Sequence, residues 1–223
     1  MRDFVANLFF GGACFVCRGR SRELLCADCN SELPRLTSEL CPRCALPAPG
    51  GAVCGRCLAH PPHYDATLAA LAYDFPADAL VHALKFRGEL ALAAYLGRLL
   101  LQAASAPQPD VVIAVPLSSK RLRERGYNQA VEIARHVMPR RLELGICVRE
   151  RDSIPQIELP WDERQRNVRG VFSCNASLGG ASVAVVDDVM TTGATLDEVA
   201  RTLKRAGAGR VVNWVVARTL PPS

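Results

Sequence analysis

The chain has 223 residues, 49% of them apolar and 22% charged, with a formal charge of +5, proportions ordinary for a soluble globular protein with room for one good-sized domain and a smaller appendage. Eight of its ten cysteines fall within the first 57 residues; as thiolates on two zinc ions they would lower the net charge by four, to about +1, so a broad cationic field that binds DNA indiscriminately is not implied. No apolar run approaches the ~18 residues of a transmembrane helix, so membrane insertion is not expected.

The chain opens with "MRDFVANLFFGGAC", which ends in a lipobox-like "GGAC". Asp3 interrupts the basic region an export signal needs, the apolar stretch runs only from Phe4 to Phe10, and Gly11 stands where a lipoprotein signal carries leucine. These residues read as a short amphipathic helix, and the protein is expected in the cytoplasm. In that compartment thiols stay reduced, so clustered Cys pairs imply metal rather than disulfides.

Four C-x-x-C knuckles follow, Cys14/Cys17, Cys26/Cys29, Cys41/Cys44 and Cys54/Cys57, separated by eight, eleven and nine residues. Two knuckles supply the four sulfurs of a tetrahedral zinc site, so the pattern predicts a double zinc ribbon over residues 1–60 with two structural zinc ions. Sequential ligation is the simplest arrangement, and spacing alone leaves an interleaved one open. With few large apolar side chains, such a segment needs its metal to fold. His60 and His63 lie beyond eight sulfurs that already fill two sites and receive no role. Arg18, Arg20 and Arg22 could meet phosphates, but a solvated turn is the simpler reading. Cys147 and Cys174 sit in apolar runs and read as buried free thiols.

From Tyr64 the pattern changes to that of an α/β domain over residues 64–220. Ala66–Tyr73 reads as a strand, "ADALVHALKFRG" as a helix ended by Gly88, and "ELALAAYLGRLLLQAA" as a mostly buried helix. After the turn "APQPD", Val111–Val115 is a short apolar strand, and "NQAVEIARHVM" a helix with Ala130, Ile133, Ala134 and Val137 on one face. "LGICVRE", Ser182–Val186 and Val211–Val216 read as further strands. Near-continuous apolar strands alternating with helices predict a parallel sheet covered on both faces, with ligands at the carboxyl ends of its strands.

Asp187 and Asp188 fall at such an end. Thr191, Thr192, Gly193, Ala194 and Thr195 follow, then a helix with Leu196, Val199, Ala200 and Leu203 at helical spacing that stops near Gly207. Small residues, threonine hydroxyls and the amides of a helix start make a phosphate cradle. The paired carboxylates suit vicinal hydroxyls. A ribose carrying a 5-phosphate has both features. The loop lacks the G-x-x-x-x-G-K and G-x-G-x-x-G patterns of nucleoside-triphosphate and dinucleotide sites.

The stretch Val183–Thr195 resembles the motif by which type I phosphoribosyltransferases bind 5-phosphoribosyl 1-pyrophosphate (PRPP). Together with "LKFRG" (Leu84–Gly88), "VPLSSKRLRERGYNQA" (Val115–Ala130) and "PQIELPWDERQRNVRGVF" (Pro155–Phe172), it is similar across the whole chain to the ComF family, in which zinc ribbons precede such a domain. Ser153 is a minor departure, where many members carry threonine. The resemblance implies that Asp187 and Asp188 carry the transfer and meet the ribose 2- and 3-hydroxyls, while Thr191–Thr195 hold the 5-phosphate. It further implies that Pro116–Arg121 is the pyrophosphate loop, with Lys120, Arg121 and Arg125 facing its charge, and that Arg151–Arg169 is a closing lid. Magnesium enters with PRPP, and no protein nucleophile or dedicated base is needed. Because some members have a single zinc site, the second is implied to be dispensable to the domain. The family's link to competence and DNA utilisation implies an alternative: a non-catalytic protein that handles single-stranded DNA, or meets other DNA-processing proteins, and uses the pocket as a sensor.

Overall fold

The computed structural model describes residues 12–36, 39–104, 108–151 and 169–221. The N-terminal helix expected over the first residues and the lid expected over 151–169 fall almost wholly outside them.

Eight sulfurs form two clusters, Cys14–Cys17–Cys26–Cys29 and Cys41–Cys44–Cys54–Cys57, each with its ligand atoms within 4.8 Å of one another. Ligation is therefore sequential. A tetrahedron of sulfurs around zinc, with bonds near 2.3 Å, has edges of roughly 3.8 Å, and the chain presents Cys17 and Cys26 Sγ at 3.8 Å and Cys44 and Cys54 Sγ at 3.7 Å. The donor set fits zinc. Burial opposes ionisation of the first cysteine of each site, but backbone N–H groups prevail and bring Cys14 down to about 6 and Cys41 to about 7. Short helices α1 (Ala27–Ser31) and α2 (Gly55–Ala59) complete the ribbons.

Beyond the ribbons run β1 (Ala66–Ala72), α3 (Ala77–Phe86), α4 (Ala91–Ala103), β2 (Val111–Ala114), α5 (Ser119–Arg125) and α6 (Gln129–Val137). They are followed by β3 (Cys147–Arg149), β4 (Phe172–Cys174), β5 (Ser182–Met190), α7 (Ala194–Arg205) and β6 (Arg210–Arg218). Four strands form one parallel sheet in the order β1-β6-β5-β2, the α/β architecture the apolar strands predict. On one face Leu92, Leu96, Leu99 and Leu100 of α4 and Ile133 of α6 pack on Ala184, Val186 and Val216, each large side chain contributing about 1.5–3 kcal/mol by burial. On the other, Leu196, Val199 and Leu203 of α7 pack on Val183, Val185 and Val215.

Two expectations need correction. "LGICVRE" does not join the parallel sheet: Cys147–Arg149 pairs antiparallel with Phe172–Cys174 in a separate two-stranded sheet. A three-residue strand with apolar neighbours carries no signal of which sheet it enters. The strand read as Ser182–Val186 continues to Met190, because Asp187 and Val189 still pair with Val215 and Ala217 of β6. Both aspartates are thus inside the strand.

The ribbons are more than an appendage. Pro34 O accepts from the Ala72 amide at 2.7 Å, Pro42 O from the Thr67 amide at 3.1 Å, and Arg35 bridges Leu71. They cover the edge of β1 that the sheet leaves unpaired. Tyr95 of α4 adds a hydrogen bond of 2.7 Å to Asn30. Phe15 and Leu25 enter the core on the α4 face, and Ala48 and Tyr64 enter it on the α7 face.

Candidate functional site

A cleft of about 700 Å³ opens at the carboxyl end of β5. Of the residues singled out from sequence, Asp187, Asp188, Thr191, Thr195, Arg121 and Arg125 line it. Lys120, Thr192, Gly193 and Ala194 do not. Lys120 is exposed on the first turn of α5, because Ser118 caps that helix through the Arg121 amide at 3.3 Å and turns the expected loop helical from Ser119.

The acids are held differently. Asp188 is 3% exposed, accepts from the Val189 amide at 2.6 Å through Oδ1, and faces the Lys85 ammonium at 2.9 Å through Oδ2. Asp187 accepts from the Asp188 amide at 2.9 Å. Burial, and then the charge of Asp188, push the Asp187 carboxyl well above the ordinary carboxylate range. Lys85 received no role from the sequence, although it lies in "LKFRG". Its signal is visible only in space, where α3 brings an amine to the strand.

The loop between β5 and α7 turns on Gly193, whose φ of +85° is left-handed and whose added Cβ would lie 2.6 Å from Met190 Cε and 3.2 Å from Tyr64 Oη. Thr192 Oγ1 accepts from the Ala194 amide at 3.3 Å, so one amide of the cradle is already partnered.

The "RGYNQ" segment is the frame of the opposite wall. Gly126 ends α5 at φ +83°. The Tyr127 hydroxyl donates to Leu84 O, tying this wall to α3. Asn128 caps α6 through the Ala130 amide and donates to Val115 O, both at 2.9 Å. Arg125 donates to Gln129 Oε1 and lies 5.1 Å from the centre of the Phe86 ring. These contacts hold Arg125 in a cleft that Arg121 and the two acids also line.

Outside the cleft, His60 and His63 take no part in either four-cysteine cluster. His63 instead binds Asp197 of α7, by its amide at 2.6 Å and its ring Nδ1 at 3.1 Å, a link the sequence did not suggest. Arg18, Arg20 and Arg22 are exposed, as a solvated turn requires. Cys147 is buried and Cys174 half-buried, opposite each other across β3 and β4.

Fold and site together define a zinc-ribbon α/β protein with an acid- and arginine-lined cleft at its strand ends. A double zinc ribbon domain model matches residues 5–58. The chain is 35% identical to the DNA utilization protein YhgH of Salmonella typhi, covering 94% of this chain and 98% of that one. It is 30% identical to competence protein F of Haemophilus influenzae, with the same coverage. The chain belongs to this competence and DNA-utilization family, the ComF family. Among solved structures, a purine phosphoribosyltransferase from Pyrococcus horikoshii aligns over 70% of this chain and 93% of that one with a TM-score of 0.30 and 19% identity. Among the described residues no helix is long and apolar enough to cross a membrane.

Proposed function

We propose that the cleft binds PRPP with magnesium and that the protein transfers its phosphoribosyl group to an acceptor. The observation that carries this reading is the convergence of Asp187 and Asp188, Thr191 and Thr195, and Arg121 and Arg125 on one cleft at the end of a buried parallel strand. The acids accept hydrogen bonds from the ribose diol. Thr191 and Thr195, the residues of this loop that line the cleft, take the 5-phosphate at the start of α7. Arg121 and Arg125 face the pyrophosphate, whose departure leaves an oxocarbenium-like ribose; cations fixed in place beforehand stabilise that separation of charge. Magnesium, bound to PRPP oxygens, supplies further neutralisation of the leaving group. Two bare carboxylates would repel so anionic a ligand. Here the Lys85 ammonium neutralises Asp188. Calorimetry of the Asp187→Asn/Asp188→Asn double variant tests the reading: loss of PRPP affinity with a native melting profile is expected, and unchanged affinity refutes it.

A second reading, handling of single-stranded nucleic acid, is favoured by one surface. Phe86, 64% exposed, lines the cleft, and a separate groove of about 340 Å³ between ribbon and α3 holds Phe75, 66% exposed, with Arg18, Tyr73, His82 and Arg87. Exposed aromatic faces among arginines are a stacking platform for unpaired bases. The two readings are compatible. Gel-shift titration of single-stranded DNA at two salt concentrations tests this one, with Phe75→Ala/Phe86→Ala expected to weaken binding and an absence of binding at low salt refuting it.

A further inference from the structure

Arg218, at the end of β6, is 1% exposed. Its Nε donates to Cys44 O at 2.8 Å, and its Nη1 donates to Met190 O at 2.8 Å, Thr219 O at 2.9 Å and Thr191 O. Among the described residues no carboxylate lies within ion-pair distance of it. A buried guanidinium without counter-charge is costly. Its Nε partner, Cys44, belongs to the second four-cysteine cluster, where four thiolates on one divalent zinc would leave a net charge of −2. The same guanidinium spans from that knuckle to the two carbonyls that open the Thr191–Thr195 loop.

Other contacts run the same way. Tyr64, buried at the exit of the ribbons, stands behind Gly193 and receives Arg43 Nη1 on its carbonyl at 3.5 Å. His63 clamps Asp197 on the first turn of α7. Among the described residues the first cluster makes no such link; it packs into the opposite core, toward α3 and α4.

We propose that the second zinc centre, acting through Arg218, positions the loop that receives the ligand's 5-phosphate, so that the two zinc sites differ in role. Arg218 is a positioning residue: it touches the loop's carbonyls from behind and lies outside the cleft lining. The identity of the ligand rests on the PRPP reading above; the mechanical coupling does not. The second centre is then no dispensable addition to the domain.

The test uses the full chain with both metals. Arg218→Lys keeps the charge but loses the planar fork. It is expected to retain two zinc per chain and a cooperative melt, while amides of residues 191–197 exchange about tenfold faster and PRPP affinity falls about tenfold, the loss of one charge-assisted hydrogen bond. Cys54→Ser, which opens the second site, should reproduce the faster loop exchange, and Cys17→Ser, which opens the first, should not. Unchanged loop exchange in Arg218→Lys and Cys54→Ser, or equal loosening in Cys17→Ser, overturns the proposal. If the wild-type chain binds no PRPP, the functional reading fails while the exchange comparison still decides the coupling. Should these variants melt without cooperativity, the chain loaded with cadmium-113 gives the reciprocal measurement. There Thr192→Ala should move the resonance of the second site and leave the first in place; no movement at the second site overturns the proposal.

Discussion

Asp188 and Lys85 form an ion pair across the cleft wall, at 2.9 Å with the carboxylate 4% exposed. Removing the amine alone leaves a buried charge uncompensated, so Lys85→Met should lower stability by about 3 kcal/mol, and adding Asp188→Asn should restore most of it. Urea unfolding of the two variants checks the sign and the recovery. Asp187 supplies a pH dependence. Its native carboxyl is held above the ordinary range by burial and by Asp188, so the native state binds more protons than the unfolded chain. This contribution to stability is therefore full below about pH 4 and declines as pH rises toward the raised native value. A diol and a cation favour the carboxylate form, so PRPP binding at pH 7.5, where ligand phosphates are ionised, should release a proton. Calorimetry in two buffers of different ionisation enthalpy reads that release directly, and equal heats would contradict it.

At the scale of elements, Gly97 marks where two helices approach too closely for a side chain. Gly97 of α4 would place a Cβ 2.8 Å from His136 Cβ and 3.1 Å from Ile133 O of α6. Because the obstacle includes backbone, Gly97→Leu should force the helices apart and cost about 2–3 kcal/mol by overpacking, seen as a lower melting temperature. How legible each element was depends on how local its cause is. The four knuckles, the amphipathic α7 and the acid-threonine loop all announce themselves within a few residues, because thiolate pairing, helical period and small-residue turns are properties of neighbours in sequence. The partners of Asp188 and Gly193 were not legible, since Lys85 and Tyr64 arrive from about a hundred residues away or more. The reach of β5 through both aspartates was hidden too, because ladder pairing with β6 overrides the low strand preference of aspartate. The likeness of Pro116–Arg121 to a pyrophosphate loop points Lys120 toward the cleft, whereas the helix that Ser118 caps leaves it exposed to solvent.

For the molecule as a whole, the ribbons belong to the sheet they cover. Metal analysis should give two zinc per chain, matching the two four-cysteine clusters. Stripping the metal under reducing conditions should then lower the melting temperature of the whole chain, because β1 loses the carbonyls of Pro34 and Pro42 together with the apolar contacts of Phe15, Leu25 and Tyr64. Circular dichroism would show one transition shifting down; an unchanged sheet transition beside a lost ribbon signal would separate the two regions. The strand order has a temporal consequence as well. β6 lies between β1 and β5 yet follows both in the chain, so a nascent polypeptide halted before residue 210 holds two halves with nothing to zip them together. Until that keystone emerges from the ribosome, the metal-bound knuckles guard only one flank of β1. The other flank stays open to misplaced neighbours until residues 210–218 have been made and can slot in.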